Sequence, residues 1–232
     1  MTLSDPAGAA SWRRIRSFVL RAGRMTAAQE RALSELLPHY LLSPHELAQP
    51  GQAFQRHAAL YLEIGIGNGD NLVAMAERHP EADFIGCEVH RPGLGHVLNL
   101  VRARDLRNVR VVDTDVRDLL AALIPASLDG VYMFFPDPWP KKRHHKRRLL
   151  NDALLDSLAG KLKSNGCFYF ATDDADYGEA ALTTVDAAPA WQNLAGVKAS
   201  APRPRWRVVT RFEARARAAG RPVCEIISAL RR

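Results

Sequence analysis

The chain is poor in cysteine: its 232 residues hold three, Cys87, Cys167 and Cys224, far apart and without a CxxC pair. That spacing excludes a disulfide framework and a paired-cysteine zinc site. The apolar, strand-like surroundings of each predict buried thiols instead. No apolar run approaches the ~18 residues of a membrane-spanning helix. The N-terminus lacks the apolar stretch of a signal peptide, so the chain is expected in the cytoplasm, with no membrane partner and no metal. No internal repeat is visible.

What is present fits a globular domain. Apolar residues make up 47% and charged residues 25%, ordinary values for a soluble protein, and the length suits one sizeable domain with a buried core. A formal net charge of +7 favours an anionic partner, nucleic acid first. Arginine far outnumbers lysine and alanine is abundant, a bias that genome composition also produces, so the position of the charge matters more than its sum. Residues 1–24 begin with small and polar residues and then carry Arg13, Arg14, Arg16, Arg21 and Arg24. They read as a flexible basic arm, followed by a single domain over 25–232. Residues 26–37 predict a short helix, and Pro38, Pro44 and Pro50 break the chain after it.

From residue 58 strands and helices alternate. Strands are expected at 59–64, 84–89, 109–112, 131–135, 167–171 and 223–230, and helices at 71–78, 95–104 and 149–162. Apolar strands separated by helices imply a doubly wound α/β fold, its sheet mostly parallel and covered on both faces.

Leu62-Glu63-Ile64-Gly65-Ile66-Gly67-Asn68-Gly69 lies where the first strand meets the first helix. Glycines there let the backbone turn tightly and approach a ligand. A dinucleotide fingerprint requires a third small residue where this chain has Asp70. It also rarely tolerates an acid two residues before the first glycine, because Glu63 would face a pyrophosphate. The same carboxylate suits the ammonium and sulfonium charges of S-adenosylmethionine. Glu88 closes the second strand, placed to accept from ribose hydroxyls, and Asp115 follows the third, within reach of an adenine amino group. A glycine loop alone is equally a plain strand-to-helix turn; three acids at successive strand ends, where open α/β sheets bind ligands, favour a cofactor site.

The fourth strand ends in Phe134-Phe135-Pro136-Asp137-Pro138-Trp139-Pro140. Two prolines restrict the backbone around Asp137, which reads either as a stiff turn or as a carboxylate held near the expected methyl group. Directly after it comes Lys141-Lys142-Arg143-His144-His145-Lys146-Arg147-Arg148, six formal positive charges in eight positions. Such runs are usually solvated faces; starting four residues from Asp137, this one also fits a phosphate-binding wall. Trp139 either packs the loop or stacks on a base. Asp173 and Asp174 end the fifth strand, and a carboxylate accepting from N1–H and the 2-amino group would distinguish guanine from adenine. Glu213, after an arginine-rich stretch, reads by default as a surface loop acid.

With these segments on view the chain resembles the tRNA (guanine-N7)-methyltransferase family in its bacterial single-chain form. The resemblance spans roughly residues 58–230 and rests on LEIGIGNG, FIGCEVHRPG, FFPDPWPKKRHHKRR, ATD and TRFE. The PDPW segment with its basic run is the specific part; the glycine loop alone says only class I methyltransferase. The resemblance implies a Rossmann-like, seven-stranded sheet and S-adenosylmethionine as methyl donor. It implies cofactor binding by Glu63, Gly65, Gly67, Glu88, Asp115 and Asp137, with Asp137 also catalytic. Substrate contacts are implied for Lys141, Asp173, Thr210, Arg211, Phe212 and Glu213, and RNA contacts for Arg143, His144, His145, Lys146, Arg147 and Arg148. The implied substrate is guanine 46 of the tRNA variable loop, with no obligatory protein partner and a monomer or homodimer as the working form. The arm and residues 186–202 match no motif.

Two rival readings stand beside this one. A small-molecule methyltransferase of the same fold leaves the basic run without a purpose. A non-catalytic RNA-binding protein on a methyltransferase scaffold would not need Glu63, Glu88 and Asp137 together.

Overall fold

In a computed structural model of the chain, residues 24–231 are described; the expected basic arm, apart from Arg24, lies outside them. In chain order the elements are α1 (Ala27–Glu35), α2 (Leu37–Tyr40), α3 (Pro44–Leu47), α4 (Pro50–Phe54), β1 (Leu60–Ile64), α5 (Asp70–Arg78), β2 (Asp83–Cys87), α6 (Arg91–Ala103), β3 (Val109–Val112), α7 (Val116–Ala122), β4 (Leu128–Phe134), α8 (Asp152–Ala159), β5 (Leu162–Thr172), α9 (Ala175–Ala187), β6 (Trp191–Asn193), α10 (Arg211–Ala218) and β7 (Cys224–Leu230). A 3-10 helix, Lys142–Arg147, lies between β4 and α8.

The strands form one sheet in the order β3-β2-β1-β4-β5-β7-β6. β1 pairs in parallel with β2 on one side, Glu63 opposite Gly86, and with β4 on the other, Glu63 opposite Tyr132. The chain therefore winds outward from β1 to β3 and restarts at β4 in the other direction. That reversal leaves a crevice at the carboxyl ends of β1 and β4, the place where open α/β sheets bind ligands. β7 runs antiparallel to both β5 and β6.

Both faces of the sheet are buried, which is why its central strands read as near-continuous apolar runs. On one face Leu119, Leu154, Leu155, Leu158, Tyr177 and Trp191 pack against Leu62, Val131 and Phe168. On the other, Leu33, Leu72, Val97 and Leu98 from α1, α5 and α6 cover Phe84, Val109 and Val111. Beyond them, among the described residues, Tyr132 and Tyr169 are not covered by a helix. Trp206 packs on them instead, its ring centroid 5.3 Å from Tyr132 and 5.1 Å from Tyr169. Through Trp206, partly buried, the segment leading to α10 packs against the core.

Several expectations change. The helix expected over 149–162 is only Asp152–Ala159: Asn151 caps it, accepting from Leu154 N at 3.0 Å, and Leu162 is buried as the first residue of β5. The elements α7, α9, α10 and β6 were not foreseen; α9 and β6 place part of residues 186–202 at the sheet edge, where Trp191 is fully buried. Of the three free thiols only Cys87 is buried, while Cys167 and Cys224 are half-buried.

Candidate active site

A cavity of about 460 Å³ opens at the carboxyl ends of β1, β2 and β4. All six residues expected at a cofactor line it: Glu63, Gly65, Gly67, Glu88, Asp115 and Asp137. Thr210 and Phe212 join them from the far end of the sequence. The loop after β1 turns through Gly65 (φ 74°) and Gly67 (φ 54°), left-handed conformations that cost glycine little. Gly67 N donates to Glu88 Oε2 at 2.8 Å, while Glu88 Oε1 accepts from Val89 N and His90 N at 2.8 and 2.9 Å. Glu88 therefore ties the glycine loop to the start of α6. Asp115 caps α7, accepting from Arg117 N at 3.0 Å, and pairs with the Arg117 guanidinium at 2.7 Å.

Glu63 is the buried acid of the site. Its Oε2 accepts from Asn71 Nδ2 at 2.8 Å. Burial pushes its carboxyl up to about 8, against the opposing effect of the Asn71 hydrogen bond, so it is largely protonated at neutral pH when nothing cationic is near. Asn71 Oδ1 is buried with no hydrogen-bond partner among the described residues. A buried acceptor without a donor is costly, and here it lies in the same cavity lining as Glu63. The pair fits a cationic, hydrogen-bond-donating group such as the ammonium of S-adenosylmethionine.

Two non-glycine residues of the loop after β4 adopt left-handed backbone angles, Phe135 at φ 52° and Trp139 at φ 49°. Bulky residues rarely sit there, and such strain gathers at functional sites. Between them, Pro136-Asp137-Pro138 sets Asp137 at the exposed rim of the cavity. Trp139 packs the loop, edge-on to His144 at 5.8 Å and beneath the Arg147 guanidinium at 4.8 Å.

The basic run divides in two. Lys141, Lys142, Arg143 and Lys146 are exposed, and His144, His145 and Arg147 half-exposed. Desolvation and then the neighbouring charges of Arg143 and Arg147 hold His144 below the usual imidazole range. Arg148 is buried: it donates to the Pro138 carbonyl at 2.9 Å, pairs with Asp176, and lies 4.8 Å over the Tyr177 ring. Its guanidinium is engaged inside the protein, fastening the 3-10 helix to the Asp137 loop and to α9.

Glu213 is not a surface loop acid. It sits in α10, 1% exposed, where Arg203 (2.8 Å), Arg207 (2.8 Å) and Arg217 (2.5 Å) converge on its carboxylate. Burial would raise its pKa, but hydrogen bonding from Arg203 and the charges of Arg207 and Arg203 hold it below the carboxylate range. Arg207 also pairs with Glu225 of β7 at 2.5 Å. Thr210 caps α10, accepting from Glu213 N at 3.2 Å, and Arg211 N donates to Asp70 Oδ2 at 3.0 Å. The end of the TRFE segment is thereby locked inward, while Arg211 and Phe212 face out beside the glycine loop. Asp173 lies off the cavity, paired with Arg221 at 2.7 Å, and Asp174 caps α9. Lys141 and the rest of the basic run also lie outside the cavity lining.

Sequence reasoning missed Asn71, Asp70, Phe135, Arg207 and Glu225. Asn71 carried one signal, a polar residue on the otherwise apolar inner side of α5. Arg207 carried none, because its partners are brought in by folding. Among the described residues no group of three or more His, Cys, Asp or Glu side chains is placed to hold a metal ion, and no described helix is long and apolar enough to cross a membrane.

A reversed-order seven-stranded sheet, a glycine loop after β1 and acids at the ends of β1 and β2 define a class I methyltransferase fold. Solved structures agree: a 16S rRNA methyltransferase, KamB, superposes with a TM-score of 0.56 over 80% of this chain and 94% of its own, at 14% identity, and an rRNA methylase from Streptococcus thermophilus with 0.51 over 75% and 88%, at 10% identity. Residues 57–226 match a family described as "Putative methyltransferase". The tRNA (guanine-N(7)-)-methyltransferase of Alkalilimnicola ehrlichii is 48% identical over 92% of each chain, and that of Thiobacillus denitrificans 45% identical over 92% of this chain and 94% of its own. The chain belongs to the tRNA (guanine-N(7)-)-methyltransferase family.

Proposed function

We propose that this protein methylates N7 of a guanine in tRNA, the guanine at position 46 of the variable loop, with S-adenosylmethionine as donor. The observation that carries the reading is the joint placement of Asp137 and the basic 3-10 helix. One carboxylate stands at the rim of the cofactor-type cavity, and four exposed cations begin four residues later. Glu63 and Asn71 would hold the ammonium of the donor, Glu88 its ribose, and Asp115 its adenine end. When bound there, S-adenosylmethionine supplies an electrophilic methyl group on a sulfonium centre.

The reaction asks the protein for little acid–base chemistry. Guanine N7 has a free lone pair near neutral pH, so no general base is needed. Positive charge builds on the guanine ring as the new bond forms. Orientation and fixed negative charge are then the useful contributions. Asp137 supplies the charge, and Lys141, Lys142, Arg143 and Lys146 orient the RNA through its phosphates. Arg148 and Glu213 support substrate binding from beneath, through the loops that they fasten. The basic arm over 1–24 and the domain over 25–232 work as one cytoplasmic chain, as monomer or homodimer, without an obligatory protein partner.

The test is incubation with labelled S-adenosylmethionine and unmodified tRNA, followed by nucleoside mapping. 7-Methylguanosine at position 46, abolished in a tRNA carrying adenine there, supports the reading. Label in a small molecule only, or no label in any tRNA, overturns it.

A further inference from the structure

Two phenylalanine rings lie nearly parallel at the mouth of the cavity. Phe135 and Phe212 both line it, their ring planes 12° apart and their centroids separated by 6.5 Å. Each ring is held there by unusual means. Phe135 is aimed by a left-handed backbone angle of 52° in a residue that is not glycine. Phe212 is 48% exposed, although an aromatic of its size is normally covered. It is carried on the first turn of α10, whose Arg211 N is hydrogen-bonded to Asp70. Opposite it, Gly67 has no side chain, and a Cβ there would lie 3.9 Å from the Phe212 ring.

One residue keys both walls. The Arg207 guanidinium lies 5.6 Å from the Phe135 centroid and pairs with Glu213 one residue beyond Phe212. Its charge is balanced by Glu213 and Glu225. Asp137, two residues after Phe135, closes the rim of the same opening.

We propose that Phe135 and Phe212 form a stacking slot for the target guanine, and that their faces stabilise the charge that methylation places on it. This inference rests on the reading above. In that reaction the N7 lone pair forms the new N–C bond, and the electron pair of the C–S bond leaves with sulfur. No proton moves at N7, so the guanine ring ends cationic. An aromatic face is negative at its centre and attracts a cation more than a neutral ring. The slot therefore favours the methylated base over the unmethylated one, and the charge-developing state over the ground state. Stacking also tolerates rotation in the ring plane, which leaves edge recognition to polar groups such as Asp137.

The experiment compares binding of guanosine 5′-monophosphate and 7-methylguanosine 5′-monophosphate, with S-adenosylhomocysteine present, at mildly acidic pH where the methylated base keeps its N1 proton. Wild type is expected to prefer the methylated nucleotide. Phe212→Leu and Phe135→Leu should erase that preference and slow single-turnover methylation of tRNA by roughly 5- to 150-fold, the range of one lost base–aromatic stack. Phe212→Tyr should recover most of both. A Leu variant that keeps the wild-type preference overturns the slot, as does a wild type that prefers the unmethylated nucleotide. Because Phe212 is exposed, its Leu variant is expected to keep its thermal midpoint, so loss of preference there is not loss of fold. The nucleotide arms are independent of tRNA. A wild type that leaves tRNA guanine unmethylated overturns the proposed substrate, and the slot is then judged on nucleotide preference alone.

Discussion

Arg207 Nη1 donates to Glu213 Oε2 at 2.8 Å, with both side chains withdrawn from solvent. Charges so deeply buried are tolerated only when paired, and removing one partner typically costs about 3–5 kcal/mol. Glu213→Ala is therefore expected to lower unfolding stability by about that amount in urea titration. Because Glu213 is held below its ordinary pKa, its contribution is present above about pH 4.5 and lost as pH falls through the lower folded value. Arg207→Lys should be destabilising as well, since one ammonium cannot replace a guanidinium that reaches both Glu213 and Glu225. A Glu213→Ala protein as stable as wild type would show that this network adds nothing to stability.

Glu63 has the opposite sign. Its pKa rises from 4.5 to about 8 on folding, so the folded state holds more protons than the unfolded state between those values. Stability then falls as pH rises through that window. Glu63→Gln is expected to flatten the slope and to be more stable than wild type near pH 8. Binding of a cation beside Glu63 ionises it, so S-adenosylmethionine should release close to one proton on binding at neutral pH. Calorimetry in buffers of different ionisation enthalpy measures that number, and zero protons released would remove Glu63 from the ammonium site.

The exposed and buried halves of the basic run separate by salt dependence. Replacing Lys142 and Arg143 with Ala should reduce the slope of log affinity for tRNA against log salt by about 1 to 2, with fold stability unchanged. Arg148→Ala should instead lower the thermal midpoint, because it leaves the Asp176 and Pro138 contacts unmade. Equal salt slopes for the double variant and wild type would make the 3-10 helix a solvated face.

At Asp137 the distinction is between shape and charge. Asp137→Asn keeps the side-chain size between its two prolines and removes the negative charge. Loss of one preorganised electrostatic partner costs about 10²–10³ in turnover. Single-turnover methylation at saturating tRNA and donor isolates that step from binding. A rate within a few-fold of wild type would assign Asp137 to the turn alone.

The half of the site on β1, β2 and β4 was legible because it is local. Glu63 sits near the end of β1, and Gly65, Gly67, Glu88 and Asp137 follow strands; the apolar runs are unmistakable, and strand ends share one edge of a parallel sheet. The other half was not. Glu213 sits among arginines in sequence, which reads as solvated charge; folding turns Arg203, Arg207 and Arg217 onto it and brings Glu225 from the neighbouring strand. Arg148 was indistinguishable from Arg147 until the Pro138 carbonyl and Asp176 were seen around it. Helix α9 hid for a different reason: its inner side is Tyr177, Ala181 and Val185, too small a stripe to stand out in an alanine-rich chain. Asn151 and Gly160 mark where α8 starts and stops, but the apolar pattern runs on through Leu162 and masks the stop.

Trp206 packs on Tyr132 and Tyr169 of the sheet, and it stands in the same short segment as Arg203, Arg207 and Thr210. The Thr210 side of the cavity mouth and the cover over these two tyrosines are consequently one piece of chain. A substitution that reshapes this side also disturbs the packing of Trp206 on Tyr132 and Tyr169, so change at the mouth of the cavity is expected to be tied to change in the interior.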